Sequence, residues 1–172
     1  HVYYAAGEYT ENDFPDAGTE VAISYGYGSF HVSTGGTYTV YASDYRGNEV
    51  VDTVYVNTYP AFTGLSNQSG EEDCTLSFSF NVSDAETDAG SLTVIAGSSD
   101  QALMPDGSIE VVNTDGLVAV SATPVANANG TFIITFRVTD GGGLSTDQSI
   151  DVEIAAVNDQ PTANLDSVET AE

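Results

Sequence analysis

The stretch Leu76-Ser77-Phe78-Ser79-Phe80-Asn81-Val82 places an apolar residue at every second position, and Phe132-Ile133-Ile134-Thr135-Phe136-Arg137-Val138 repeats the pattern. Successive side chains of a strand point to opposite faces, so a period of two is the signature of a strand with one buried face. Further strand candidates lie at 19–25, 37–43, 49–56, 91–96, 107–112, 117–122 and 146–156. They are rich in Val, Ile, Thr, Tyr and Phe, and clusters of Gly, Asn, Asp and Ser punctuate them. No segment keeps a helical period over several turns. Many short strands at this spacing predict an all-β chain built from β-sandwiches.

Charge narrows the choice of partner. The 172 residues carry 26 acidic and two basic side chains, Arg46 and Arg137, for a formal net charge of −24. Phosphate recognition needs cations, so neither nucleic acid nor an anionic membrane surface is expected as a partner. No apolar run approaches the ~18 residues of a membrane helix, so no membrane insertion is expected. No signal peptide is visible, which fits a mature product or a fragment. Cys74 is the single cysteine, so no disulfide can form within the chain. Without lysine there is no Lys–Asn isopeptide crosslink either. Such a chain repels itself when folded, which leaves salt or bound cations as the brace.

The chain repeats itself. "VNTYPAF" at 56–62 matches "VNDQPTA" at 157–163, "GTYTVYASDYRGN" at 36–48 matches "GTFIITFRVTDGGG" at 130–143, and "SGEED" at 69–73 is echoed by "TAE" at 170–172. The expected division is a small β domain at 1–58, a β-sandwich at 59–160, and the first strand of a further unit at 161–172. A proline stands at each boundary, where it ends ladder pairing.

Three strands end alike: an apolar residue, a hydroxyl residue, then aspartate. They read Val82-Ser83-Asp84, Val138-Thr139-Asp140 and Ala42-Ser43-Asp44. Asp84 and Asp140 share the parity of the core-facing residues before them. Counting strands makes 76–82 the second and 131–138 the sixth of a sandwich whose second–third and sixth–seventh loops share one end. Asp84, Glu86, Asp88 and Asp140 are therefore expected to converge at one pole. Clustered carboxylates repel unless a cation intervenes. A hard cation with irregular, all-oxygen coordination is calcium rather than magnesium. The plainer reading is that loop aspartates cap turns.

"FNVSDAETDAG", "VTDGGGLSTDQSIDVEIAAVNDQP" and "GEED" resemble, over residues 59–172, a cadherin-like repeat of the kind found in tandem in bacterial surface adhesins. Residues 36–57 are similar to bacterial immunoglobulin-like repeats. The resemblance implies tandem immunoglobulin-like (cadherin-like) β-sandwich domains with calcium at the junctions. It assigns Asn57, Asp84, Glu86 and Asp140 to the first junction, and Glu71, Glu72, Asn158 and Asp159 to the second. Asp88 belongs to the same acidic loop. Thr58 stands where the family has aspartate, and the acidic triplet before the sixth strand is absent, so one or two ions per junction are expected.

The functional expectation is an extracellular or cell-surface structural and adhesive repeat protein: a calcium-rigidified spacer, stalk or fibre subunit, not an enzyme. Its partners would be other copies of the same chain or adjacent repeats, and a glycan or host-cell surface protein. Strand 161–172 could be donated to a neighbouring subunit. The alternative is a carbohydrate-binding module using the tyrosine-rich first domain, with Tyr3, Tyr4, Tyr9, Tyr25, Tyr27 and Tyr45 as stacking surfaces. His1 and His31 could in principle brace copper, but their surroundings resemble no such enzyme. Cys74 is expected to be a core residue.

Overall fold

The structure, a computed structural model, describes residues 2–7, 18–21, 32 and 34–160. The expected third unit at 161–172, both histidines, and Tyr9, Tyr25 and Tyr27 lie outside the described residues. The fold is almost entirely β, with 3-10 turns at Ala89–Ser91 and Asp106–Ser108.

An N-terminal sheet contains β1 (Val2–Ala6), β2 (Thr19–Glu20), β3 (Gly36–Ser43) and β4 (Glu49–Val56), in the order β2-β1-β3-β4. Pairing is antiparallel throughout. Alternation puts Tyr3 and Tyr41 on one face, where their rings pack 6.1 Å apart beside Ala5 and Val51. Thr39 is fully buried and donates its hydroxyl to Gly7 O at 2.8 Å.

Residues 61–155 form a sandwich. One sheet contains β5 (Ala61–Thr63), β7 (Leu76–Ser83), β9 (Ile109–Thr114) and β10 (Leu117–Ala122), in the order β5-β7-β10-β9. The other contains β6 (Gln68–Glu71), β8 (Thr93–Ser98), β11 (Gly130–Thr139) and β12 (Ser145–Ala155), in the order β6-β12-β11-β8. The first strand thus divides between the sheets, and β6 runs parallel to β12. This is the immunoglobulin-like arrangement, with β7 as second strand and β11 as sixth.

The even-numbered apolar residues read from the sequence are the core. Phe80, Val82, Phe132, Ile134, Phe136 and Val138 are all buried, joined by Ile150, Val152 and Ile154 of β12. Phe80 and Phe136 meet across the sheets with ring centroids 4.9 Å apart in an edge-on packing. Each such buried side chain contributes roughly 1.5–3 kcal/mol. The β9–β10 hairpin turns on Asp115 (φ 49°) and Gly116 (φ 88°), the left-handed pair that a two-residue turn of this hand demands.

Two expectations are corrected. Strand 19–25 is strand only at 19–20 among its described residues. Cys74 is exposed, not core. It precedes the apolar row that starts at Leu76, in the turn that follows β6, so no face of β7 carries it inward.

Candidate functional site

The linker after β4 is held at the pole of the sandwich where the β7–β8 and β11–β12 loops meet. Asn57 Nδ2 donates to Asp140 Oδ2 at 2.8 Å. Thr58 donates twice to Glu86 Oε2, from its backbone N at 2.9 Å and from Oγ1 at 2.7 Å. Thr146 Oγ1 donates to Pro60 O. The two loops are tied to each other by Gly141 N, which donates to Thr87 Oγ1 at 3.2 Å.

The local sequence shapes both loops. Asp84 Oδ1 accepts from Glu86 N at 3.0 Å and Thr87 N at 2.7 Å, the turn-closing role expected of an aspartate just past a strand. Asp140 Oδ1 accepts from Leu144 N at 2.8 Å, closing the β11–β12 loop. Both aspartates continue core-facing rows. Asp140 is buried, and Asp84 is half-buried.

Among the described residues, three side-chain oxygens at this pole are buried with no hydrogen-bond donor: Asn57 Oδ1, Asp84 Oδ2 and Glu86 Oε1. Buried acceptors without partners are rare and costly. Each belongs to a residue whose other polar atom is already engaged, in the linker contacts for Asn57 and Glu86 and in its own loop for Asp84, so none can turn away without breaking a bond already made. The electrostatics agree. Tyr55, on β4 beside the linker, has its phenol pKa raised by burial and then by the carboxylates of Glu86, Asp84 and Asp140. Burial also pushes the Asp140 carboxyl upward, but the Asn57 amide and the N–H groups of Leu144, Gly142 and Gly143 outweigh it and hold the carboxyl below its ordinary range.

Two glycines make the contact possible. A Cβ at Gly35, in the N-terminal part, would overlap the Glu86 carboxylate. A Cβ at Gly142 would overlap the Asn57 amide, lying 2.9 Å from its Cγ.

The remaining candidates lie elsewhere. The Asp88 carboxylate accepts from Gly90 N at 2.9 Å, capping the 3-10 turn, and is exposed. At the other end of the sandwich, Glu72 is buried with both oxygens in use: Oε1 accepts from Val157 N at 2.7 Å and Oε2 from Asn129 Nδ2 at 3.1 Å. Glu71, Asn158 and Asp159 are exposed, and Asn158 Nδ2 donates to Asp159 O at 3.3 Å. Glu72 therefore holds the outgoing linker much as Glu86 holds the incoming one.

Neither Thr87 nor Asn129 is marked out by the sequence. Thr58 stood only as a missing carboxylate; its hydroxyl serves as a donor, a role that repeat alignment alone does not reveal. Among the described residues, no three or more His, Cys, Asp and Glu side chains gather closely enough to hold a metal by themselves. The orphan oxygens are one amide and two carboxylate atoms, a mixed set of hard donors suited to calcium chemistry rather than to zinc. Of the tyrosines read as stacking surfaces, Tyr3 packs on Tyr41, and Tyr45 is 88% exposed with the Arg46 guanidinium over its ring.

The family comparison agrees with the fold. The bacterial Ig domain family matches residues 57–153, more than half of the chain. Among solved structures, the titin M10–obscurin-like 1 Ig complex is 11% identical, with TM-score 0.43, covering 58% of this chain and 97% of that one. Domains 4 and 5 of the S-layer protein SbsC are 15% identical, with TM-score 0.42, covering 90% of this chain and 70% of that one. An endo-fucoidan hydrolase of glycoside hydrolase family 107 is 18% identical, with TM-score 0.45; 90% of this chain is covered but only 24% of the hydrolase. No curated protein matches in sequence. No helix among the described residues is long and apolar enough to cross a membrane. The family is typically non-enzymatic and supplies repeat and structural domains, and by its match over 57–153 this chain belongs to the bacterial Ig domain family.

Proposed function

We propose that the chain is an extracellular structural and adhesive repeat protein, a spacer, stalk or fibre subunit, whose linker is stiffened by calcium. The observation that carries this reading is the trio of buried, donor-free oxygens: Asn57 Oδ1, Asp84 Oδ2 and Glu86 Oε1. A bound cation would supply the partner that these oxygens lack and would neutralise carboxylate charge at the pole. These oxygens would hold it, with water completing the shell. The chain's own contribution is positional: Asn57–Asp140 and Thr58–Glu86 fix the linker against the sandwich before any ion arrives. At the far pole, Glu72 prepares the outgoing linker, and Asn158 and Asp159 would add ligands with the next repeat. Partners are then adjacent repeats or other copies of the chain, and a surface protein or glycan at the adhesive end.

The test is chelation at low salt. Removing calcium should lower the melting temperature and increase the scattering radius, because an unneutralised linker flexes. If neither quantity responds, the calcium reading fails. A second reading, carbohydrate binding by the tyrosine-rich N-terminal part, draws on the exposed Tyr45 ring beside Arg46. Retention on a glycan array that is lost in Tyr45→Ala would favour it over the spacer.

A further inference from the structure

The chain contains two copies of one hairpin, and they differ where the linker docks. The β3–β4 strands close at the pair Ser43–Glu49, and the β11–β12 strands at Thr139–Ser145. Each leaves a five-residue loop beginning with aspartate. In the first, Asp44 N donates to Asn48 O at 3.0 Å and Gly47 N to Asp44 O at 3.2 Å. In the second, Asp140 N donates to Leu144 O at 3.0 Å and Gly143 N to Asp140 O at 3.3 Å. The aspartate Oδ1 accepts the N–H four residues on in both, from Asn48 at 2.9 Å and from Leu144 at 2.8 Å. The fourth loop residue is glycine in both, with φ 79° at Gly47 and 90° at Gly143. Asp44 and Asp140 are thus structural equivalents.

Their second oxygens have different partners. Asp140 Oδ2 takes the amide of Asn57 from the linker at 2.8 Å, whereas Asp44 Oδ2 takes the amide of Asn48 from its own loop at 2.7 Å. The fifth loop position, Asn48 against Leu144, supplies or withholds that amide, and the third position bears on the approach of the linker. The third is Gly142 in the sandwich and Arg46 in the N-terminal sheet. Gly142 does not lie in the left-handed region, so its backbone tolerates a side chain. What forbids one is Asn57, whose amide a Cβ would overlap. Gly141, one residue earlier, has only an ordinary contact of 3.5 Å at its Cβ position, and its counterpart is Tyr45.

We propose that the residue two places after the hairpin aspartate decides whether a pole of this chain receives a linker. Gly142 opens the sandwich pole to Asn57; Arg46, with Asn48 supplying the amide internally, closes the equivalent pole of the N-terminal sheet. Gly142 is a positioning residue for the joint, and the pole at Asp44 does not clamp an asparagine from another segment or from a second copy's Asn158. The proposal deepens the reading of the linker as a stiff joint and rests on it.

Hydrogen exchange at the Thr58 amide, which is bonded to Glu86, reads linker docking directly. All arms are run on the full chain in EDTA. Gly142→Ala should speed Thr58 exchange about tenfold or more, and so should the closed-loop mimic Gly142→Arg/Leu144→Asn. Gly141→Ala should match wild type, and β11 and β12 amides should stay protected in every variant that folds. Wild-type protection at Thr58 in either Gly142 variant overturns the proposal, as does equal loss in Gly141→Ala or absence of protection in the wild type. Failure of the calcium reading is separately visible, as a wild type whose stability and radius ignore calcium while these exchange rates keep their order.

Discussion

Glu72 and Glu86 both grip a linker, yet amide substitution should act on them in opposite ways. Glu72 is 4% exposed, and two donors converge on it: Val157 N on Oε1 and Asn129 Nδ2 on Oε2. Glu72→Gln keeps the shape but leaves one acceptor oxygen for two donors, so one N–H must face an NH2 group. Water cannot replace the lost partner at that burial. A hydrogen bond to a charged group is worth about 1.5–3 kcal/mol, so the sandwich should lose about 2 kcal/mol. For a domain near 100 residues that is a fall of roughly 10 °C in melting temperature. The loss should be the same with calcium or with EDTA, since Glu72 is satisfied by protein donors. Glu86 is the reverse case. Its Oε2 accepts from Thr58, but its Oε1 has no donor among the described residues. Glu86→Gln removes a half-buried negative charge and exchanges an acceptor without a donor for an NH2 group that can itself donate. In EDTA it should be neutral or stabilising, and its response to calcium should vanish. Urea unfolding by circular dichroism, each variant with and without calcium, measures both. If Glu72→Gln unfolds at the wild-type midpoint with an unchanged slope, the linker-clamp account of Glu72 is wrong.

Other consequences can be checked independently. Phe80→Ala, at the 4.9 Å contact with Phe136, should cost about 3–5 kcal/mol in equilibrium unfolding, because the close-packed core cannot collapse into the gap. The Asp44 carboxyl is held below its ordinary value of 3.8 by the Asn48 side chain first and then by loop N–H groups. A lowered folded pKa means the stabilisation is present above the unfolded value and is lost as pH falls through the folded one. An NMR titration should therefore place its midpoint below 3.8, and Asn48→Ala should raise it. Cys74, exposed in the folded chain, should react fully with a thiol reagent at a rate that does not depend on denaturant.

The sandwich was legible because period-two alternation is a direct record of which face is buried. Phe80, Val82, Phe136 and Val138 are core for the reason their spacing announces. The same parity carried Asp84 and Asp140 to the pole, since each extends a buried row by one step. Asp88 broke the pattern: beyond the strand, parity no longer governs direction, and a local turn took its carboxylate as a cap. Thr58 and Gly142 were illegible for another reason. Their roles exist only when residues far apart in sequence meet, Thr58 with Glu86 and Gly142 with Asn57. Sequence comparison made Thr58 look like a lost ligand, whereas its hydroxyl fastens the linker to Glu86.

A cation held at the pole bounded by Asn57, Asp84 and Glu86 should bind with measurable heat. Calorimetric titration of calcium into the EDTA-treated, dialysed chain tests it most directly, with Glu86→Gln run alongside. Saturable binding is expected in the wild type, lost or greatly weakened in the variant. No binding heat in the wild type at any of several temperatures, or an isotherm that Glu86→Gln leaves unchanged, contradicts it.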